Sequence, residues 1–192
     1  MRALARLIPF IFFAAILLYS KNMADKIELR KKAKNIRKNL PMKEISKQLV
    51  DLIKKNAVYC DSKNVMLFYP TKFEVDLREL SKYDNKNFYL PKVDGEDLLV
   101  CPYSNDLQKS DFGIYEPCSK PVNAEILDLV IVPALMCDKN SYRLGYGGGF
   151  YDRFINKYGQ NFKTLCPIPK ELFVENLPIN KFDKKVDFII TT

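Results

Sequence analysis

A glycine-rich segment contains the residues best suited to chemistry. Four of the seven glycines lie between positions 145 and 149, closely after Arg143. Glycine permits positive φ angles and lets the backbone approach a ligand closely. A helix expected to begin near Phe150 would offer free backbone N–H groups to an anion, and a guanidinium suits phosphate oxygens. The segment therefore predicts a phosphate-binding turn, with a tight or flexible loop that binds nothing as the alternative.

Two familiar nucleotide-binding motifs do not match this turn. No Gly-Lys-Ser/Thr sequence closes it, as a P-loop requires, and Phe150 occupies the third glycine position of a Gly-x-Gly-x-x-Gly fingerprint. Histidine is absent from the chain, which excludes Ser-His-Asp and Cys-His catalysis and HExxH zinc sites. The chemistry must therefore depend on carboxylates, lysine, arginine, tyrosine, backbone amides or a bound cofactor.

The charge of the chain points to an anionic partner. Its formal net charge is +8 and its pI is about 9.1, which favours a nucleotide, a polyanionic metabolite, nucleic acid or a membrane surface. Apolar residues at helical spacing predict a helix over residues 24–40, and Lys26, Arg30 and Arg37 share a neighbouring stripe of it. The charge pattern alone favours a solvated face for this stripe.

The first 22 residues differ from the rest of the chain. They contain three basic residues, no acidic residue and an apolar run over residues 7–19, which is the outline of a signal peptide or short anchor. The run is shorter than the roughly 20 residues of a membrane span. Met23 offers an alternative translation start, so a targeting segment and an over-extended start both remain open. Five cysteines without a CxxC pair indicate reduced thiols and a cytoplasmic protein.

Short apolar runs alternate with helical segments along residues 23–192, which we interpret as a single domain. Strands are predicted at residues 65–69, 88–90, 98–101, 127–132 and 186–190, and helices at 24–40, from Pro41 to about 56, at 75–83 and from Phe150. This alternation predicts a largely parallel sheet that is covered on both faces, with ligands beyond the carboxyl ends of its strands.

The sequence over residues 24–192 resembles the 5-formyltetrahydrofolate cyclo-ligase family, also called methenyltetrahydrofolate synthetase. The family signature Arg-Leu-Gly-x-Gly-x-Gly-aromatic-Tyr-Asp is matched throughout Arg143 to Asp152. Further matches follow in order along the chain: Lys26 to Arg30, Glu74, Leu90-Pro91, Glu116-Pro117 and the terminal segment from Asp183 to Thr191.

The resemblance implies a fold and a reaction. The fold is α/β and three-layered, with a mostly parallel twisted sheet and helices on both faces, Rossmann-like and similar to the NagB/RpiA/CoA-transferase fold. The reaction is the ATP- and Mg²⁺-dependent cyclisation of 5-formyltetrahydrofolate to 5,10-methenyltetrahydrofolate, through a phosphorylated imidate and with release of ADP and phosphate. A monomer is expected, with no nucleic-acid partner and no stable membrane association of residues 23–192.

The resemblance also implies roles for individual residues. Lys26, Arg30 and Arg143 would be catalytic and would hold the triphosphate. The ATP site would be completed by Leu144, Gly145, Tyr146, Gly147, Gly148, Gly149, Phe150 and Tyr151. Folate would contact Tyr69, Glu74, Tyr146 and Phe150, and Mg²⁺ would bind Asp152 and Asp183. Simpler roles remain open for Tyr69 as a core residue, for Glu74 as a helix-terminal charge and for Asp183 as a turn cap.

Three positions depart from the family pattern. Ser141 replaces a common glycine, Phe182 replaces a common histidine, and residues 167–170, which end in Lys170, replace a segment that often contains glutamine. We expect that last segment beside the folate pocket, so the departures concern folate more than ATP. Two alternatives are a nucleic-acid-binding module on the same fold and an ATP-dependent ligase for another small molecule.

Overall fold

The computed structural model describes residues 22–83, 85–111 and 113–192. The predicted leader, residues 1–22, lies outside this described part except for Asn22. Among the described residues, no helix has the length and apolar character needed to cross a membrane.

Helices and strands alternate along most of the chain. The helices are α1 (residues 22–38), α2 (Met42–Lys54), α3 (Ala57–Asp61), α4 (Leu80–Tyr83) and α5 (Phe150–Tyr158). The strands are β1 (Asn64–Met66), β2 (Asn87–Asp94), β3 (Asp97–Pro102), β4 (Leu107–Lys109), β5 (Tyr115–Pro117), β6 (Leu129–Ile131), β7 (Met136–Asp138), β8 (Arg143–Leu144), β9 (Lys163–Ile168), β10 (Phe173–Val174) and β11 (Phe188–Thr191).

A six-stranded sheet forms the centre of the molecule, in the order β11-β9-β6-β1-β2-β3. All neighbouring strands in it are parallel except β2 and β3, which form an antiparallel hairpin. All three residues of β6 are apolar and buried, and so are the last two residues of β1, as expected for strands that are covered on both faces. The prediction of a mostly parallel sheet is confirmed.

Helices cover both faces of this sheet. Ala33 of α1 and Phe154 of α5 pack in one cluster with Met66 of β1. Leu49 of α2 packs in the other cluster with Val65, the neighbour of Met66 in the same strand. Successive side chains of a strand point to opposite faces, so the two clusters lie on either side of the sheet and the three-layer α/β prediction is confirmed.

Two parts of the predicted order of elements are wrong. Strand β9 was not expected, because Pro167 lies within it and proline normally argues against an interior strand. The helix expected at residues 75–83 is reduced to α4, because the Asp76 side chain accepts the backbone N–H of Arg78 at 3.0 Å. Such a local side-chain bond offers the backbone an alternative to a helix.

The carboxyl ends of the parallel strands meet at one edge of the sheet. Residues 67–74 follow β1 there, and residues 132–135 follow β6. A small sheet, β10-β7-β8, places Arg143 antiparallel to Cys137 of β7. The glycine-rich turn then leads directly from β8 into α5.

Candidate active site

A large cleft opens at this edge of the sheet. Its volume is about 1280 Å³, above the roughly 300–1,000 Å³ of a pocket for one drug-sized ligand. Every site residue named from the sequence lines it: Lys26, Arg30, Tyr69, Glu74, Arg143, Leu144, Gly145, Tyr146, Gly147, Gly148, Gly149, Phe150, Tyr151, Asp152 and Asp183. The cleft therefore brings these residues together from α1, from the loop after β1, from the segment after β8 and from the loop before β11.

The glycine turn, residues 145–149, has backbone angles that favour glycine. Gly147 has a φ of 117° and Gly149 a φ of 70°, and Gly149 is the N-cap of α5. At Gly148 a Cβ atom would lie 2.6 Å from a ring carbon of Phe150, which is too close for any side chain. Main-chain groups of the turn and the first N–H groups of α5 can therefore approach an anion directly.

The cationic stripe of α1 faces the interior of the molecule. The Lys26 side chain is buried and its Nζ lies 2.5 Å from Oδ2 of Asp183. Arg30 Nε donates to the Gly145 carbonyl at 2.9 Å, and Arg37 is only 3% exposed. The solvated face favoured by the charge pattern is therefore wrong for Lys26 and Arg37, because the stripe is turned toward loops of the sheet edge.

Arg143 is a buried cation, and one of its N–H donors has no hydrogen-bond partner among the described residues. Its Nη1 donates to Oδ1 of Asp152 at 3.0 Å and to the Lys184 carbonyl at 3.2 Å. Its Nε is buried and has no hydrogen-bond partner among the described residues. Arg143 also lines the cleft, so its positive charge lies beside any anion that binds there.

Two carboxylates lie beside these cations. Oδ1 of Asp152 also accepts the Lys184 backbone N–H at 2.9 Å, and Oδ2 of Asp183 accepts the Asn180 N–H at 2.6 Å. No group of three or more His, Cys, Asp or Glu side chains in the described part of the chain forms a metal cage. Mg²⁺ usually binds one or two carboxylates together with waters and substrate phosphates. The donor set therefore fits Mg²⁺ bound together with a nucleotide.

The same cleft contains a buried carboxylate and aromatic rings. Glu74 is 7% exposed, and its Oε2 accepts the Thr71 N–H at 2.7 Å. Tyr69 is half-buried, and its ring centre lies 5.3 Å from that of Tyr115. Arg78 lies over the Tyr69 ring and donates to its hydroxyl at 2.9 Å. The Glu74 carboxylate can therefore accept N–H groups of a ligand ring, and the tyrosine rings can pack against the face of that ring.

Two tyrosines of the signature have hydroxyl groups whose pKa is raised. Burial raises the pKa of Tyr146, and the negative charge of Glu74 raises it further. Tyr151 shows the same two causes in the same order, so its pKa is also raised. The Tyr151 hydroxyl is buried without a hydrogen-bond partner among the described residues. Both phenols therefore stay protonated and can act as hydrogen-bond donors at neutral pH.

Sequence reasoning missed the roles of two cleft neighbours. Glu116 is buried, lines the cleft and accepts the Val93 N–H at 3.2 Å through Oε1. Arg37 donates to the Tyr146 hydroxyl at 3.0 Å from behind the cleft. The Glu-Pro pair and the position of Arg37 on the cationic stripe were the available signals, but neither specifies a partner.

The three departures occupy different environments. Ser141 has a φ of 68°, a left-handed conformation that glycine adopts more easily. Phe182 lines the cleft and is 61% exposed. Residues 167–169 are buried, Lys170 is exposed, and none of the four lines the cleft, so their expected place beside the folate pocket has no support from the cleft lining.

Comparisons with known proteins agree with this architecture. A sequence model of the 5-formyltetrahydrofolate cyclo-ligase family matches residues 22–192. The 5-formyltetrahydrofolate cyclo-ligase of Haemophilus influenzae is 30% identical over 185 residues, which cover 84% of this chain and 95% of that protein. The mouse protein of the same name is 26% identical over 151 residues, which cover 69% and 74% of the two chains.

Solved structures match as well. The NMR structure of Aquifex aeolicus 5,10-methenyltetrahydrofolate synthetase has a TM-score of 0.76 at 33% identity and covers 86% of this chain and 89% of its own. A 5,10-methenyltetrahydrofolate synthetase from Mycoplasma pneumoniae has a TM-score of 0.70 at 20% identity, with coverage of 86% and 98%. At that lower identity, the likeness concerns the fold.

Proposed function

The chain belongs to the 5-formyltetrahydrofolate cyclo-ligase family, and we propose that it converts 5-formyltetrahydrofolate to 5,10-methenyltetrahydrofolate with ATP and Mg²⁺. Membership of this family makes the chain an enzyme. One observation carries the finer proposal: Lys26, Arg30 and Arg143 line a single cleft together with the glycine turn. This set of cations and free main-chain groups is suited to a triphosphate.

The nucleotide lies along the glycine turn in this proposal. Backbone N–H groups of the turn and of the first residues of α5 bind phosphate oxygens. Arg143 lines the same cleft, so its charge supports this assignment. Lys26 and Arg30 neutralise charge on the transferred phosphoryl group, and phosphoryl transfer depends mainly on such positioning and neutralisation.

The reaction balances without a histidine base. The formyl oxygen attacks the γ-phosphorus of ATP, and the bond from that phosphorus to ADP breaks. The folate nitrogen at position 10 then adds to the activated formyl carbon and loses its proton to water. The carbon–oxygen bond to phosphate breaks, which gives the methenyl bridge and free phosphate. The protein orients the formyl oxygen in line with the phosphorus and stabilises charge during both steps.

Mg²⁺ is assigned to Asp152 and Asp183. Each has one oxygen occupied by hydrogen bonds, Oδ1 in Asp152 and Oδ2 in Asp183, and the second oxygen of each is proposed as the ligand. When bound, the ion would neutralise charge on the phosphates.

Five free cysteines support a reducing, cytoplasmic location.

The folate ring is assigned to the part of the cleft around Glu74. The buried Glu74 carboxylate accepts N–H groups of the pterin, while Tyr69, Tyr146 and Phe150 contact its faces or edges. The inward cationic stripe argues against a nucleic-acid module, because buried Lys26 and Arg37 cannot track an exposed phosphate backbone.

The test uses the purified full chain with MgATP and 5-formyltetrahydrofolate. We expect near-ultraviolet absorbance of methenyltetrahydrofolate to grow, and to stay flat when ATP or Mg²⁺ is omitted. 5-Methyltetrahydrofolate, which lacks the formyl oxygen, serves as a substrate control and gives no signal. Folded protein that binds ATP but forms no methenyl product would overturn the folate assignment and indicate a different acceptor.

Two variants test the folate and Mg²⁺ assignments separately. Glu74→Gln is expected to raise KM for folate roughly tenfold or more, because a charged acceptor is lost, while KM for ATP changes little. Asp183→Asn should instead raise the Mg²⁺ concentration needed for half-maximal rate. Exposed Glu79→Gln and Asp51→Asn are matched controls and should behave as wild type. Equal effects of both site variants on all three ligands would contradict the assignments.

A further inference from the structure

Arg37 is a buried cation whose partners are all uncharged. It is 3% exposed, and it forms no ion pair with a carboxylate of the described residues. Its Nη2 donates to the Ala134 carbonyl, its Nη1 donates to the Tyr146 hydroxyl at 3.0 Å, and its Nε has no partner within the described part of the chain. Burial of a charge without a counter-ion costs stability, so the fold retains this arginine at a cost.

The two partners of Arg37 belong to two loops of the cleft. Ala134 follows β6 at the carboxyl edge of the sheet, and Tyr146 lies in the glycine turn. The Arg37 side chain itself does not line the cleft. Arg37 therefore joins both loops to α1 from behind and has no direct contact with a ligand in the cleft.

A second residue of α1 holds the same turn. Arg30 precedes Arg37 by seven residues, which is about two helical turns, so both side chains lie on one face. Arg30 binds the main chain of the turn at the Gly145 carbonyl, and Arg37 binds the side chain of the next residue, Tyr146. Adjacent residues of a glycine-rich segment are thus fixed at two points.

We propose that Arg37 is a positioning residue that holds the glycine turn ready for the nucleotide by binding the Tyr146 hydroxyl. This inference rests on the proposed ATP site. A turn with several glycines has many accessible conformations, and ordering it on binding would reduce affinity. The hydrogen bond to Tyr146 fixes that order in advance. Tyr146 is 43% exposed and lines the cleft, while its hydroxyl accepts the bond from Arg37.

Arginine is required at this position because its guanidinium reaches two acceptors in a fixed geometry. A lysine has a single ammonium group on a flexible stem and cannot reproduce this fork. Arg37→Lys therefore keeps the charge and removes the bridge between the two loops. Tyr146→Phe removes the hydroxyl and keeps the ring against the cleft. Lys32→Met removes an exposed charge from the same helix and serves as the matched control.

The kinetic arm measures KM for MgATP and kcat separately. Loss of a hydrogen bond to a charged group predicts a rise in KM of roughly tenfold or more in Arg37→Lys and in Tyr146→Phe, with kcat of Arg37→Lys within about twofold of wild type. Both changes remove the bond between Arg37 and the Tyr146 hydroxyl, so their effects on KM should be less than additive in the double variant. Additive effects, or an unchanged KM in Tyr146→Phe, would overturn the proposal.

The exchange arm does not depend on the reaction. Hydrogen–deuterium exchange of peptides that cover residues 143–149 should be faster in Arg37→Lys and Tyr146→Phe than in wild type and Lys32→Met, with no ligand present. Equal exchange would refute the positioning role even if the enzyme is active. A wild-type protein without methenyl product would refute only the proposed function. If Arg37→Lys fails to fold, Tyr146→Phe decides the outcome.

Discussion

Replacement of Arg143 by methionine tests the candidate site most directly. The Arg143 side chain is 3% exposed, and its Nη1 binds both Asp152 and the Lys184 carbonyl. Methionine keeps an unbranched apolar stem but removes the charge and all five N–H donors. The variant therefore loses the proposed phosphate contact and leaves Asp152 without its cation.

Two magnitudes follow from this geometry. A hydrogen bond between charged groups contributes about 1.5–3 kcal/mol, and Asp152 is only 24% exposed, so water replaces the lost cation incompletely. For a domain of this size, 1 kcal/mol corresponds to roughly 2–4 °C in Tm, so we expect Tm to fall by about 3–12 °C. Loss of a preorganised donor at the reacting group predicts a decrease in kcat of roughly 10²–10³-fold.

The assay compares four proteins by thermal unfolding and by methenyltetrahydrofolate absorbance. Lys139→Met removes one member of an exposed ion pair with Glu175 and should change neither Tm nor kcat measurably. Arg143→Met combined with Asp152→Asn should recover part of the lost Tm but none of the activity. Retention of kcat within tenfold in folded Arg143→Met would refute the assigned role of Arg143.

Three further predictions concern stability and reactivity. Ser141→Gly should raise the free energy of unfolding by about 0.5 kcal/mol in chemical denaturation. Glycine relieves the backbone strain at a φ of 68°, and this gain exceeds the conformational entropy that glycine adds to the unfolded chain. Tyr151 should contribute to alkaline unfolding. Burial, and secondarily Glu74, raise its folded-state pKa above the ordinary value of 10.0, so the folded protein keeps a proton that the unfolded chain loses. Its contribution is complete below about pH 10 and is lost as the pH rises further; the free energy of unfolding measured in urea should decline less steeply there in Tyr151→Phe. A thiol reagent should modify exposed Cys60 and Cys118 first, and the other three cysteines only after unfolding; early reaction of all five would contradict the described burial.

Most of the central sheet could be predicted because its strands are apolar on both faces. Strand β6, for example, is a run of three fully buried apolar residues that follows Asp128. Strand β9 could not be found in this way, since Pro167 interrupts the apolar pattern although it is paired in register with Ile190. The small strands β7, β8 and β10 have two or three residues each, which is too short for any periodicity.

The candidate site could be predicted as a set of residues but not as a set of contacts. The signature from Arg143 to Asp152 places its residues in one segment, and the structure adds that its first and last members form an ion pair. The direction of the cationic stripe could not be deduced, because a charged row beside an apolar stripe is equally compatible with solvent. The partners Asp183, Gly145 and Tyr146 lie more than 100 residues away from α1 in the sequence.

Helix α1 sets the spacing of the loops that form the cleft. Lys26, Arg30 and Arg37 bind Asp183, Gly145 and Tyr146 in that order along the helix. At a rise of 1.5 Å per residue, the eleven steps from Lys26 to Arg37 span about 16 Å. A substitution at one of the three positions removes the contact of that residue with its loop. Because each residue also rotates the helix by about 100°, an insertion between Arg30 and Arg37 would move one cation away from its partner while the other two kept theirs. The regular geometry of a single helix therefore fixes the relative positions of three contacts that lie far apart in the sequence.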